Sequence, residues 1–126
     1  MSVQARVNNL LGGLSNQITV TCASTGQTIA IPDNAAWITL SPTAATTFGT
    51  GTTIPVFSVP SFARNRLVYF HNPSSSYDVT FINRNDTTAA GYADLGGSDR
   101  VLSQNDILCL YIKADGAAVM VSLTNN

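Results

Sequence analysis

Ten short runs of β-forming character, each broken within a few residues by glycine, proline, asparagine or aspartate, fill the chain from residue 18 to residue 123. They are 18–22, 28–31, 37–40, 55–59, 66–72, 77–83, 91–95, 100–102, 106–113 and 117–123. Runs of this length, rich in β-branched and aromatic residues, have the size of strands and are too short for stable helices. Composition points the same way. Serine, threonine, asparagine and glutamine make up a third of the chain, glutamate is absent, and Lys113 is the sole lysine. The two residues that most often solubilise exposed helices are therefore almost missing. The pattern predicts an all-β fold of short antiparallel strands, a sandwich, jelly roll or barrel.

At 126 residues the chain has the size of one domain, able to bury roughly two-thirds of the surface that its unfolded form exposes. Residues 1–17 differ from the rest. Val7, Leu10, Leu11 and Leu14 fall at helical spacing, but Gly12 and Gly13 interrupt them. We read 1–17 as an extended N-terminal arm and 18–126 as a single β-sandwich domain. The arm, with one arginine and a broken apolar stretch, is a poor signal peptide. Residues 41–53, rich in Thr, Ala and Gly, read as a long surface loop.

Charge narrows the function. Arg6, Arg64, Arg66, Arg84, Arg100 and Lys113 are scattered and offset by seven aspartates, so no basic stripe is available to displace counterions from nucleic acid. No apolar run approaches the roughly 20 residues of a membrane span. The expected partners therefore include neither nucleic acid nor membrane. Cys22 and Cys109 lie in strand patterns and read as small buried hydrophobes, although a bridge between them stays open.

Two hairpins can be written out. Asp115-Gly116 between apolar strands signals a two-residue type I′ turn, pairing Ile112 with Val119, Tyr111 with Met120 and Leu110 with Val121. Its core face then carries Leu108, Leu110, Ile112, Val119, Val121 and Leu123; the other face carries Ile107, Cys109, Tyr111, Met120 and Ser122. A second hairpin through residues 73–76 would set Phe70 opposite Val79, Val68 opposite Phe81, Tyr69 opposite Thr80 and His71 opposite Asp78. Both hairpins have a second face too apolar for solvent, which points to burial against another subunit. A loop or the arm of the same chain is the competing cover. Tyr69, Tyr111 and Met120 are the expected oligomer-contact residues.

No catalytic or metal-ligating constellation emerges. His71 and Asp78 lack a nucleophile in an elbow setting, and one histidine with two distant cysteines lacks zinc spacing. Asp86, Asp94 and Asp99 have the side chains of a glycosidase pair or a calcium site, but their spacing is that of turn residues. We expect no enzyme activity, no cofactor and no metal. Arg64 and Arg66 form the densest basic spot, suited to carboxylates on a partner or to a solvated strand entry. Trp37 suits core or edge packing, or a sugar ring.

The order "RLVYFHNPSSSYDVTFINRN", "GYADLGGSDRVLSQNDILCLYI" and "KADGAAVMVSL", over residues 66–123, resembles small β-sandwich modules of tailed-bacteriophage virions. Such modules occur in capsid decoration (cement) proteins and at fibre tips. Ala117-Ala118 stands where those modules often carry tryptophan or asparagine after Asp-Gly. The resemblance implies an antiparallel, jelly-roll-like β-sandwich and a non-enzymatic viral structural protein, a homo-oligomer and commonly a homotrimer, assembled in the host cytoplasm and decorating a bacteriophage capsid lattice. Its partner would be the major capsid protein. Val7, Leu10, Leu11, Leu14, Arg64 and Arg66 would then make capsid or neighbour contacts. The alternative it implies is a receptor- or carbohydrate-binding module of a tail or head fibre. Deleting residues 1–14 should leave the thermal unfolding of the domain unchanged while weakening assembly seen by sedimentation; unfolding of the truncated chain would contradict this division of labour.

Overall fold

The structure, a computed structural model, describes residues 17–32, 36–50, 53–84 and 89–125. The described residues form twelve strands and no α-helix. The chain is thus all-β, in several sheets. Six of the nine strand pairings are parallel, where an antiparallel fold was expected.

The parallel part is a winding. Strands β1 (Gln17–Cys22), β2 (Thr25–Gln27) and β3 (Ile29–Ala30) make a first coil. A second coil contains β4 (Trp37–Pro42), β5 (Thr46–Phe48) and β6 (Phe57–Ser58). A third begins with β7 (Arg66–Asn72) and β8 (Val79–Phe81). The coils stack so that β1, β4 and β7 are parallel neighbours in one sheet and β2, β5 and β8 in another. Strands β3 and β6 pair in a third sheet, and the Phe57 N–H continues that ladder by donating to the Gly91 carbonyl at 2.9 Å. Gly91 has φ +85°, and a Cβ there would run into the Phe57 carbonyl oxygen, so only glycine lets the third coil approach so closely. The expected loop at 41–53 is part of this winding: β5 lies inside it, with Thr46 and Phe48 buried.

Strand β9 (Ala93–Asp94) and the strands β10 (Arg100–Leu102), β11 (Asp106–Ile112) and β12 (Ala118–Thr124) close the structure. The sheet orders are β1-β4-β7-β11-β12-β9 and β10-β8-β5-β2. Residues 73–78 therefore do not make a hairpin. Both edges of β7 are occupied, by β4 and β11, so the chain must leave that sheet before β8 can form. Asn72, fully buried, fixes the crossing: its amide donates to the Tyr77 and Leu102 carbonyls at 3.0 and 2.8 Å, and its side-chain oxygen accepts from Ser74 N–H at 3.0 Å. A buried amide with these bonds made is stabilising; stripped of them it would cost about 1–3 kcal/mol.

The last hairpin departs from expectation by one residue. Lys113 N–H donates to Ala117 C=O and Gly116 N–H donates to Lys113 C=O, with Gly116 at φ +85° and Asp115 outside the positive-φ region. This is a three-residue loop ending in a left-handed glycine. It pairs Ile112 with Ala118, Tyr111 with Val119 and Leu110 with Met120. A bulge between Cys109 and Leu110 then restores the expected register, and Leu108 meets Leu123. A one-residue slip turns each side chain to the opposite face. Met120 accordingly packs against the core, while Val121 points out and is 57% exposed.

The centre of the molecule is aromatic. Phe48 and Phe81 come from the β8 sheet, Phe70 from the β7 sheet and Phe57 from the β3–β6 sheet, all essentially inaccessible. Their ring centroids lie 5.2 Å apart for Phe70–Phe81, 5.4 Å for Phe48–Phe81 and Phe57–Phe70, and 6.1 Å for Phe57–Phe81, within the range of favourable tilted and edge contacts. Phe81→Ala should lower unfolding free energy by about 3–5 kcal/mol, measured by urea denaturation. A loss below about 1 kcal/mol would mean that the rings do not join the sheets.

Candidate interaction face

Strand alternation divides the six-stranded sheet into two faces. Ile38, Leu40, Val68, Phe70, Leu108, Leu110 and Ile112 point inward and are fully buried. The register places the outward residues in rows. Trp37, Tyr69 and Cys109 are neighbours in one row, Thr39, His71 and Ile107 in the next, and Leu67, Tyr111 and Val119 on the other side of the first.

The rows merge into an apolar stripe. Trp37 stacks on Tyr69 at 5.8 Å with 21° between planes and touches the His71 ring at 5.7 Å. Leu67 is 42% exposed and Tyr111 39%, so the stripe stays wet beside Val119 and Val121. The sequence-predicted contacts Tyr69 and Tyr111 lie on this face. Met120 does not, and Val119 and Val121 occupy the places expected for its side of the hairpin. Only the bulge decides between them, and no residue type announces it. Val7, Leu10, Leu11 and Leu14 lie outside the described residues.

Arg64 and Arg66 hold the chain's own backbone. Arg64 donates to Ala114 C=O at 3.3 Å and Val59 C=O at 3.2 Å, lying against Gly116 where a Cβ would meet the guanidinium. Arg66 donates to Ala63 C=O at 3.1 Å and to Pro32 C=O. Two guanidinium groups thus tie the β6–β7 corner to the last hairpin and to the end of the first coil. The carboxylates serve turns as well. Asp99 accepts from Asn83 N–H, Asp94 from Gly96 N–H, and buried Asp106 from Ser103 N–H, at 2.8, 3.0 and 2.9 Å. Asp86 lies outside the described residues. His71 meets Asn105 at 3.3 Å, not Asp78. No cluster of metal-ligating groups occurs among the described residues.

Cys22 and Cys109 are free thiols. Burial pushes both up from the usual thiol range, partly offset at Cys109 by the Tyr69 hydroxyl, which donates to its sulfur. The neighbouring Cys109 charge and that same bond raise Tyr69 in turn. Comparison with known proteins finds no matching family model, no matching curated protein and no matching solved structure.

Groups raised in the folded state contribute stability that is complete at low pH and lost as pH climbs past their unfolded values. The urea midpoint should therefore fall above about pH 8.5, where unfolded thiols ionise. In a Cys22→Ala, Cys109→Ala chain the fall should begin later, and an identical profile for both chains would refute the assignment.

Proposed function

We propose that the chain is a non-enzymatic structural module that self-associates through the outer face of its six-stranded sheet. The observation that carries this is the stripe of Leu67, Tyr69, Tyr111, Val119 and Val121. Its five residues are uncharged, and the carboxylate that continues the row, Asp94 beside Val119, stands on the edge strand of the sheet. Burying an exposed aliphatic side chain of this kind contributes about 1–2 kcal/mol, and symmetry repeats each contact. In this reading the face of the β7 sheet that meets Phe81 is one layer of a sandwich, and the outer face is the subunit contact.

With the virion resemblance of residues 66–123, the reading extends to a homo-oligomer, a trimer by that resemblance, decorating a capsid lattice of major capsid protein. Many weak contacts repeated over a lattice give avidity without a deep pocket. Sedimentation of the full chain should report an oligomer, and Leu67→Asp with Val121→Asp should convert it to a monomer with an unchanged circular dichroism spectrum. A wild-type chain that sediments as a monomer at every concentration would end the proposal.

A further inference from the structure

A strand at the margin of a sheet carries a row of backbone N–H and C=O groups that can recruit a strand from another chain. The two larger sheets end in β1 and β9 and in β10 and β2, and the third consists of β3 and β6 alone. Five of these six margins are two or three residues long. Strand β1 differs, with six residues in which Ile18 and Val20 alternate with threonines. No charged residue and no proline occurs anywhere from residue 17 to residue 31. Shortness, charge and proline are common means of keeping a margin from recruiting a strand, and β1 has none of them.

We propose that the side chain of Gln27 is a built-in stop that keeps β1 from pairing with β1 of a second copy. Thr43 N–H donates to Cys22 C=O at 2.8 Å, so Cys22 turns its backbone groups to the β4 side. Alternation then turns those of Thr19 and Thr21 to the open side. There Gln27 Nε2 donates to Thr21 C=O at 2.8 Å, and Ala23 N–H donates to Gln27 Oε1 at 3.0 Å. One amide thus occupies both the acceptor and the donor that an incoming strand would need, whichever way that strand ran.

The first coil aims this amide. Gly26 has φ +78° and lies where the pairing of β2 with β5 slips between Thr25 and Gln27, and a bulge of this kind re-aims a neighbouring side chain. The Gln27 backbone stays on β5, its carbonyl accepting from Gly49 N–H at 3.0 Å. A second β1 is the occupant held off, because an uncharged strand rich in β-branched residues meets its own copy without repulsion. Strand β4 separates β1 from β7, β11 and β12, which carry the apolar stripe, so the stop does not rest on self-association through the outer face.

The full chain carrying Leu67→Asp and Val121→Asp is compared with the same chain carrying Gln27→Ala as well, by sedimentation velocity and thioflavin T fluorescence over a range of concentrations. Gln27→Ala should strengthen association roughly tenfold, the effect of freeing two backbone hydrogen-bonding groups. Adding Thr19→Lys, which sets a charge on the exposed margin, should reverse the gain. Equal association with and without Gln27, or a gain that Thr19→Lys leaves unchanged, would overturn the proposal. Association of the parent chain itself would count against the outer-face contact, whereas the stop is read from the difference between the two chains. Hydrogen exchange in the unsubstituted chain gives a second reading that does not depend on a variant folding. Relative to its intrinsic rate, the Ala23 amide should exchange about fivefold more slowly than the Thr19 amide, since a hydrogen bond holds only the first. Equal protection of the two amides would also overturn the proposal.

Discussion

Four phenylalanine rings meet where three sheets join, at the centre of a wider buried apolar cluster drawn from all of them. Phe57 reaches in from the smallest sheet, Phe70 from the largest, and Phe48 and Phe81 from the third, with the four contacting pairs of rings 5.2 to 6.1 Å apart. A two-stranded parallel sheet such as β3–β6 has no independent stability. It persists because Phe57 is clamped between Phe70 and Phe81, and because its ladder runs on into Gly91. Side-chain packing thus explains why the backbone can wind in coils at all.

Polar groups then settle which way the chain turns. Asn72 captures one carbonyl of the connection it opens and one of β10 at the crossing between sheets, Arg64 and Arg66 anchor corners to carbonyls far away in sequence, Asp99 ties the end of β8 to the start of β10, and Asp94 and Asp106 hold turn amides. Arg64 and Arg66, which looked available for a partner, are used internally. What remains at the surface of the large sheet is the apolar stripe through Leu67, Tyr69 and Tyr111, and the reading of function draws on it.

Local pattern made much of this legible. The runs 66–72 and 100–102 are strands with those bounds, since alternation within a strand is a local property. Val68, Phe70, Val79 and Phe81 were assigned to the core, and they are buried there. Their partnership was not legible: they meet across two sheets, because β7 already has a neighbour on each edge, and edge occupancy is set by strands distant in sequence. Thr46 and Phe48 were lost in a threonine-rich stretch whose composition matches a loop. The place of Met120 turned on a single extra residue in β12. The coiling left no repeat to find, for 20 residues separate Gln17 from its partner Trp37 while 32 separate Trp37 from Tyr69.

That inequality has a consequence for how such a chain tolerates change. A coil is obliged only to return to its ladder, and the entropy of closing a longer excursion rises by about 0.6 kcal/mol per doubling of its length. Extra sequence can therefore accumulate at the corners without disturbing the rungs, as the second coil has done between β5 and β6. The corners are the natural ports through which a lineage, or an engineer, could graft new recognition loops onto an unaltered frame.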